Sequence, residues 1–216
     1  MPKGLKVTLK VFVIVITIIV FLMLASLLAF NITYTKSTVN GLSMYPTLNR
    51  DISSGSDRVF INRFEDGDVG DIVVAKVKDE ENWDHTIEGD YVIKRFIAKA
   101  GDKVKIVNPR LNYYELLVNN EVFYTKEIEG LVPTYENFNY YVNMHKAEEG
   151  RVEDGALVLF KGEIFLMGDN WETSYDCATA GPISASSLVG RVDIIVPASQ
   201  NLVWGAIKGI FKMWFN

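Results

Sequence analysis

The chain has 216 residues and a net charge of −5, enough for an apolar anchor plus one domain of ordinary size, and without the basic footprint of a nucleic-acid binder. One cysteine, Cys177, excludes an intrachain disulfide framework and any CxxC metal site. With only two histidines, His85 and His145, a zinc centre would have to be built mostly from carboxylates, so no metal or other cofactor is expected.

Residues 11–30 carry no charge. As a helix rising about 1.5 Å per residue they span a hydrocarbon core of roughly 30 Å. Lys3, Lys6 and Lys10 precede the run, and residues 31–40 carry a single lysine among hydroxyls. The positive-inside rule therefore puts residues 1–10 in the cytoplasm, 11–30 across the membrane once, and the rest outside. A cleaved secretory signal would have a shorter apolar core and a small-x-small site, which "ASLLAFNIT" does not offer.

Beyond residue 31 the pattern predicts strands. "DRVFINRF" (57–64) and "GDIVVAKV" (70–77) are β-branched runs separated by a Gly/Asp turn cluster. Residues 91–107 form two strands around Ala-Gly-Asp, and 113–125 bend at Asn119-Asn120 into a hairpin. Residues 162–170 and 188–197 supply further strands. The more polar stretch of about 108–154 is expected as an insertion. Together, 31–200 predict a mostly β extracytoplasmic domain, a barrel or folded sheet. In 201–216, Trp204, Ile207, Phe211 and Trp214 recur at helical spacing with Lys208 and Lys212. This predicts a short amphipathic helix, either at the membrane interface or packed on the core.

Ser43, in "NGLSMYPTLNRD", lies shortly after the apolar run. As a nucleophile it needs a base, and both histidines stand in polar, loop-like contexts. A lysine serves if burial lowers its pKa. Lys94 stands in the apolar strand "DYVIKRFIAKAGD", with Val92 and Phe96 on its own face.

"GLSMYPTL", "GDIVVAKV", "DYVIKRFIAKAGDKVKI" and "GEIFLMGDNWETSYD" occur in that order behind the apolar run. Together they resemble the sequence boxes of bacterial type I signal peptidases. The resemblance implies a folded β-sheet domain like that of signal peptidase and LexA. It also implies a membrane-anchored serine endopeptidase that removes signal peptides from exported preproteins after small-x-small sites. By the resemblance Ser43 is the nucleophile and Lys94 the general base, and Ser174 orients that lysine. Met44, Leu48, Val92 and Ile93 shape shallow apolar substrate pockets. Arg95 pairs with Asp169, and Pro46 shapes the turn after the nucleophile. The implied partners are preprotein signal peptides and membrane lipid, with no nucleic acid.

The chain departs from the family pattern at Gly41, where some members supply an oxyanion hydroxyl. It departs again at Trp171 and at Cys177-Ala178, where arginines and a serine are usual. Asp176 thereby loses its expected arginine. It is expected to find Arg191 or backbone N–H groups instead, or to stay solvated, and an arginine restored at 178 should be tolerated. The alternatives are a non-catalytic, membrane-tethered assembly or chaperone-like factor on the same fold, and a self-cleaving Ser-Lys regulator. The latter is disfavoured by the anchor and by the lack of a DNA-binding segment.

Overall fold

The computed structural model describes residues 3–77 and 91–215. His85 lies outside the described residues. Helix α1, Lys3–Thr33, contains an apolar span over Thr8–Thr33 that is exposed except in its last turns, where Phe30 is buried. It passes directly into β1, Tyr34–Thr38. Next come β2 (Arg58–Asn62), β3 (Ile72–Lys76), β4 (Tyr91–Lys99), β5 (Lys103–Arg110), β6 (Tyr113–Val118) and β7 (Glu121–Glu127). Helix α2 (Pro133–Met144) interrupts the strands. It is followed by β8 (Val152–Glu153), β9 (Ala156–Val158), β10 (Glu163–Met167), the one-turn α3 (Cys177–Ala180), β11 (Ile183–Ser184), β12 (Leu188–Val196) and the terminal helix α4 (Leu202–Phe215).

Among the described residues all strand pairings are antiparallel. Seven strands form one sheet in the order β1-β2-β12-β3-β4-β10-β11, and five form a second, β7-β6-β5-β9-β8. The domain is mostly β, as the alternating patterns predict. The Asn119-Asn120 corner forms as expected, both residues at positive φ, the backbone a tight two-residue hairpin demands.

In the structure the stretch 108–154 is joined to the second sheet. It supplies β6, β7, α2 and β8, and its strands flank the central β5–β9 pair on both sides. Helix α2 was not legible as a helix. "PTYENFNYYVNM" is rich in Asn and Tyr, which have modest helix propensity. Its helical state comes from burying Thr134, Phe138 and Val142, with Pro133 opening the first turn.

Three apolar clusters organise the body. The largest gathers Val92, Phe96, Phe165 and Leu166 with Phe138 of α2 and Trp171. A smaller one packs Met44 and Leu48 against Val39, Val59, Ile61 and Val74. The third joins Phe30, at the end of α1, to Tyr34, Phe60, Ile194 and Val196, covered by one face of α4.

Candidate active site

Ser43 lies on the loop after β1, and three sets of hydrogen bonds fix that loop. Asn49, held at positive φ, donates from its side chain to the carbonyls of Val39 and Gly41. Asn49 and Asp57 exchange backbone-to-side-chain bonds of 2.8 and 2.7 Å. From the segment after β10, the Asn170 backbone N–H donates to the Ser43 carbonyl at 2.9 Å, and its side-chain amide donates to the Leu42 carbonyl at 3.1 Å. Both peptide units flanking Ser43 are thus oriented by one asparagine.

Gly168 allows this approach. A Cβ there would fall 2.2 Å from Ser174 Oγ and 2.4 Å from the Ser43 carbonyl oxygen. Glycine is the residue that lets the β10 exit and the Ser43 loop touch.

Lys94 comes from the middle of β4, paired with Val73 of β3. The two-residue period of the strand turns it with Val92 and Phe96 towards the large cluster, leaving it 4% exposed. Its ammonium nitrogen donates to Ser174 Oγ at 3.2 Å. Ser174 in turn donates to Asp176 Oδ2 at 2.5 Å. Asp176 is fully buried and also accepts from the backbone N–H groups of Gly168 (2.8 Å) and Ala178 (3.0 Å), capping α3. Among the described residues no hydrogen bond joins Lys94 Nζ to Ser43 Oγ.

Burial pushes the Lys94 pKa below its ordinary value, with the nearby Asp176 carboxyl opposing the shift. Burial likewise pushes Asp176 up, against the pull of Lys94, the Ser174 hydroxyl and the two N–H donors. Low-dielectric surroundings thus disfavour charge on both groups, and Ser174 is the hydrogen-bonded link between them.

Ser43 and Lys94 line the same cleft, of about 780 Å³. It is lined by the end of β1 and the segment after it (Ser37 to Leu42), by Tyr91 to Ile93, and by Thr173 and Tyr175. Of the four residues expected to shape substrate pockets, Val92 and Ile93 line the cleft. Met44 and Leu48 do not. Both are fully buried beneath the loop with Val59 and Val74, and those two valines reach the cleft in their stead.

Arg95 and Asp169 form a two-pronged pair at 2.8 and 2.6 Å, with Arg95 also donating to the Gly70 carbonyl at 2.7 Å. Thr47 adds a hydroxyl to Asp169 at 2.5 Å, and Lys126 donates to the Asp169 carbonyl at 2.9 Å. The pair therefore ties β4 and the β10 exit to the Ser43 loop. Arg191 is not the partner of Asp176; it bonds Glu65 and Asp193 instead.

Trp171 packs in the main core. Ala178 and Cys177 are fully buried, and the Leu166 N–H points at the Cys177 sulfur at 3.2 Å. With Ala178 fully buried, an arginine there would have to displace core neighbours or carry its charge out past them. His145 caps the end of α2, its ring stacked on Tyr141 at 4.3 Å, outside the residues lining the cleft. Among the described residues no group of three His, Cys, Asp or Glu side chains could hold a metal ion.

Asn49, Asp57, Thr47, Gly168 and Asn170 were not singled out from sequence. For Asn170 and Gly168 a signal existed, since both sit in the "GEIFLMGDN" box. Asn49 and Asp57 gave none, because their partnership spans a loop whose course the sequence does not reveal.

A family model described as "Signal peptidase, peptidase S26" matches residues 9–197. The chain is 26% identical over 162 residues to thylakoidal processing peptidase 1, chloroplastic, of Arabidopsis thaliana. That match covers 71% of this chain and 39% of the relative's length. Among solved structures, a signal peptidase I of Enterococcus faecalis V583 matches 58% of this chain and 96% of its own, at 19% identity and a TM-score of 0.34.

Proposed function

The chain belongs to the signal peptidase family, peptidase S26, and on that premise we propose that it is a membrane-anchored serine endopeptidase that removes signal peptides with Ser43 as nucleophile and Lys94 as general base. The observation that carries the reading is the shared cleft: Ser43 at its wall and a buried, pKa-lowered lysine beside it, steered by Ser174.

In this mechanism neutral Lys94 takes the Ser43 hydroxyl proton as Oγ bonds the scissile carbonyl carbon. The tetrahedral oxyanion is met by the Ser43 N–H, which Asn170 aims by holding the Leu42 carbonyl on the other side of the same peptide plane. Collapse breaks the C–N bond, and the Lys94 ammonium returns its proton to the departing amine. Lys94 then activates a water that hydrolyses the acyl-enzyme. Ser174 and Asp176 are positioning residues.

The substrate lies extended between the Ser37–Leu42 wall and the Tyr91–Ile93 wall, bonding backbone to backbone. Small side chains suit a cleft lined by Val59, Val74, Val92 and Ile93. The α1 span anchors the enzyme with its N-terminus cytoplasmic and the cleft outside.

The test is cleavage of a preprotein by detergent-solubilised protein. Ser43→Ala and Lys94→Met should each lower the rate at least about 10²–10⁴-fold with the fold intact, the range typical for losing a general base. Near wild-type cleavage by either variant would exclude the dyad, and absence of cleavage by the wild type would revive the reading of a non-catalytic assembly factor.

A further inference from the structure

Helix α4 has two apolar faces, one seated on the body and one exposed. Gly205 and Gly209 set it down on the body. A Cβ at Gly205 would meet Val196 at 2.2 Å, and one at Gly209 would meet the Phe30 ring at 2.4 Å and Ile194 at 2.5 Å. Leu202, Ala206, Ile210 and Met213 complete the seated face, and Lys212 is held to Asp193 at 3.3 Å.

Winding at about 100° per residue, the remaining apolar residues gather on the opposite side. Val203, Trp204, Ile207, Phe211 and Trp214 fall within one arc, bordered by Lys208 and Lys212. Trp204 is 63% and Trp214 57% exposed. A soluble domain rarely leaves such a stripe bare.

The stripe is continuous with α1. Gly209 rests on Phe30 in the last turns of the apolar span, so the outer face of α4 sits beside the point where that helix leaves the bilayer. A second, independent feature lies at the same end. Arg63 donates to the Asn31 and Ile32 carbonyls at the close of α1, and the next residue, Phe64, is 71% exposed. Indole and phenyl rings with a lysine border are the side chains that partition into the headgroup layer.

We propose that α4 lies in the outer headgroup layer of the bilayer, with Trp204, Phe211 and Trp214 inserted among the lipids as a second footing for the domain. The proposal rests on α1 being a membrane anchor and does not depend on the peptidase chemistry.

The test uses the full chain in vesicles of phosphatidylcholine and phosphatidylglycerol, with the phosphatidylcholine brominated near the glycerol end of its acyl chains. Tryptophan fluorescence should be quenched in the wild type. The quenching should be largely lost in Trp204→Phe/Trp214→Phe when both proteins also carry Trp83→Phe, because the one indole then left in the variant, Trp171, is buried in the core. Equal quenching of wild type and double variant would overturn the proposal. So would an unquenched wild type, and a disulfide-linked dimer formed by Val203→Cys would then assign the stripe to a second copy of the chain.

Carbonate extraction separates the two ideas. A chain that resists extraction yet shows no quenching keeps its anchor and loses this footing. Hydrolysis of a short soluble peptide should be unchanged in the double variant, and its absence in the wild type would count against the peptidase reading alone.

Discussion

A methyl group on Gly168 would have to share space with Ser174 Oγ and the Ser43 carbonyl, at 2.2 and 2.4 Å. The second of these is backbone, so relief requires moving the Ser43 loop or the Ser174 hydroxyl that Lys94 bonds. Gly168→Ala should therefore lower kcat/KM for a preprotein and cost about 1–3 kcal/mol of stability, the usual range for overpacking. Thermal unfolding and steady-state kinetics on the same preparation would show both losses. Ala178→Arg should lower Tm by on the order of 5–10 °C, because a guanidinium would enter a filled core beside Cys177 without a solvent path.

On the proposed mechanism the pH response follows from Lys94: as base it would work only unprotonated, so activity should rise with pH and level off below the ordinary lysine value of 10.5. Ser174→Ala should move that rise as well as reduce the rate, a change that a purely structural serine would not produce. The same lysine tilts stability. Its folded pKa is below its unfolded one, so between the two the unfolded chain binds more protons and stability increases with pH. Lys94→Met should remove that slope and raise Tm at neutral pH while abolishing cleavage, separable by calorimetry across pH.

Among the elements, α4 shows how far local propensity yields to packing. Alanine normally stabilises a helix by roughly 1 kcal/mol over glycine. At Gly209 the added Cβ would press on Phe30 and Ile194, both held in the third cluster. Gly209→Ala should therefore lower Tm, read by thermal unfolding of the full chain in detergent.

Strong local signals were legible in the sequence. β2, β3, β4 and β12 lie within their β-branched runs, and the Asn119-Asn120 hairpin forms at its turn residues. The resemblance of the ordered boxes pointed to Ser43 and Lys94, and period-2 alternation in β4 put Lys94 on an apolar face. Elements that owe their form to tertiary contact were not legible. "YTKST" of β1 is polar and becomes a strand by pairing with β2 along its whole length. Helix α2 forms because Phe138 meets Phe165 in the core, ring centroids 6.0 Å apart. The burial of Met44 and Leu48 was hidden for the same reason. Their neighbours Val59 and Val74 arrive from strands distant in sequence.

At the scale of the whole molecule, the junction between α1 and the β body has no linker. α1 ends at Thr33 and β1 begins at Tyr34. Phe30 is buried in the body, Tyr34 donates its hydroxyl to Asp193 at 2.9 Å, and the Arg63 N–H meets the Thr33 carbonyl at 3.0 Å. Arg63 also places a cation at the helix C-terminus, where the macrodipole favours it. Arg63→Ala should loosen this joint, seen as faster amide hydrogen exchange at residues 30–35 with β4 and β10 unchanged.

A helix welded to its domain cannot lean without taking the domain with it. Transmembrane helices tilt to match their apolar length to the local hydrocarbon thickness, by about 20° on average. On the anchor reading, that tilt passes straight into the attitude of the cleft, which stands one short strand, roughly 15 Å, from the helix end. Lipid acyl length thereby becomes an input to proteolysis. In thin bilayers the mouth of the cleft swings towards the headgroups on one side and away on the other, whereas a flexible tether would have kept it indifferent.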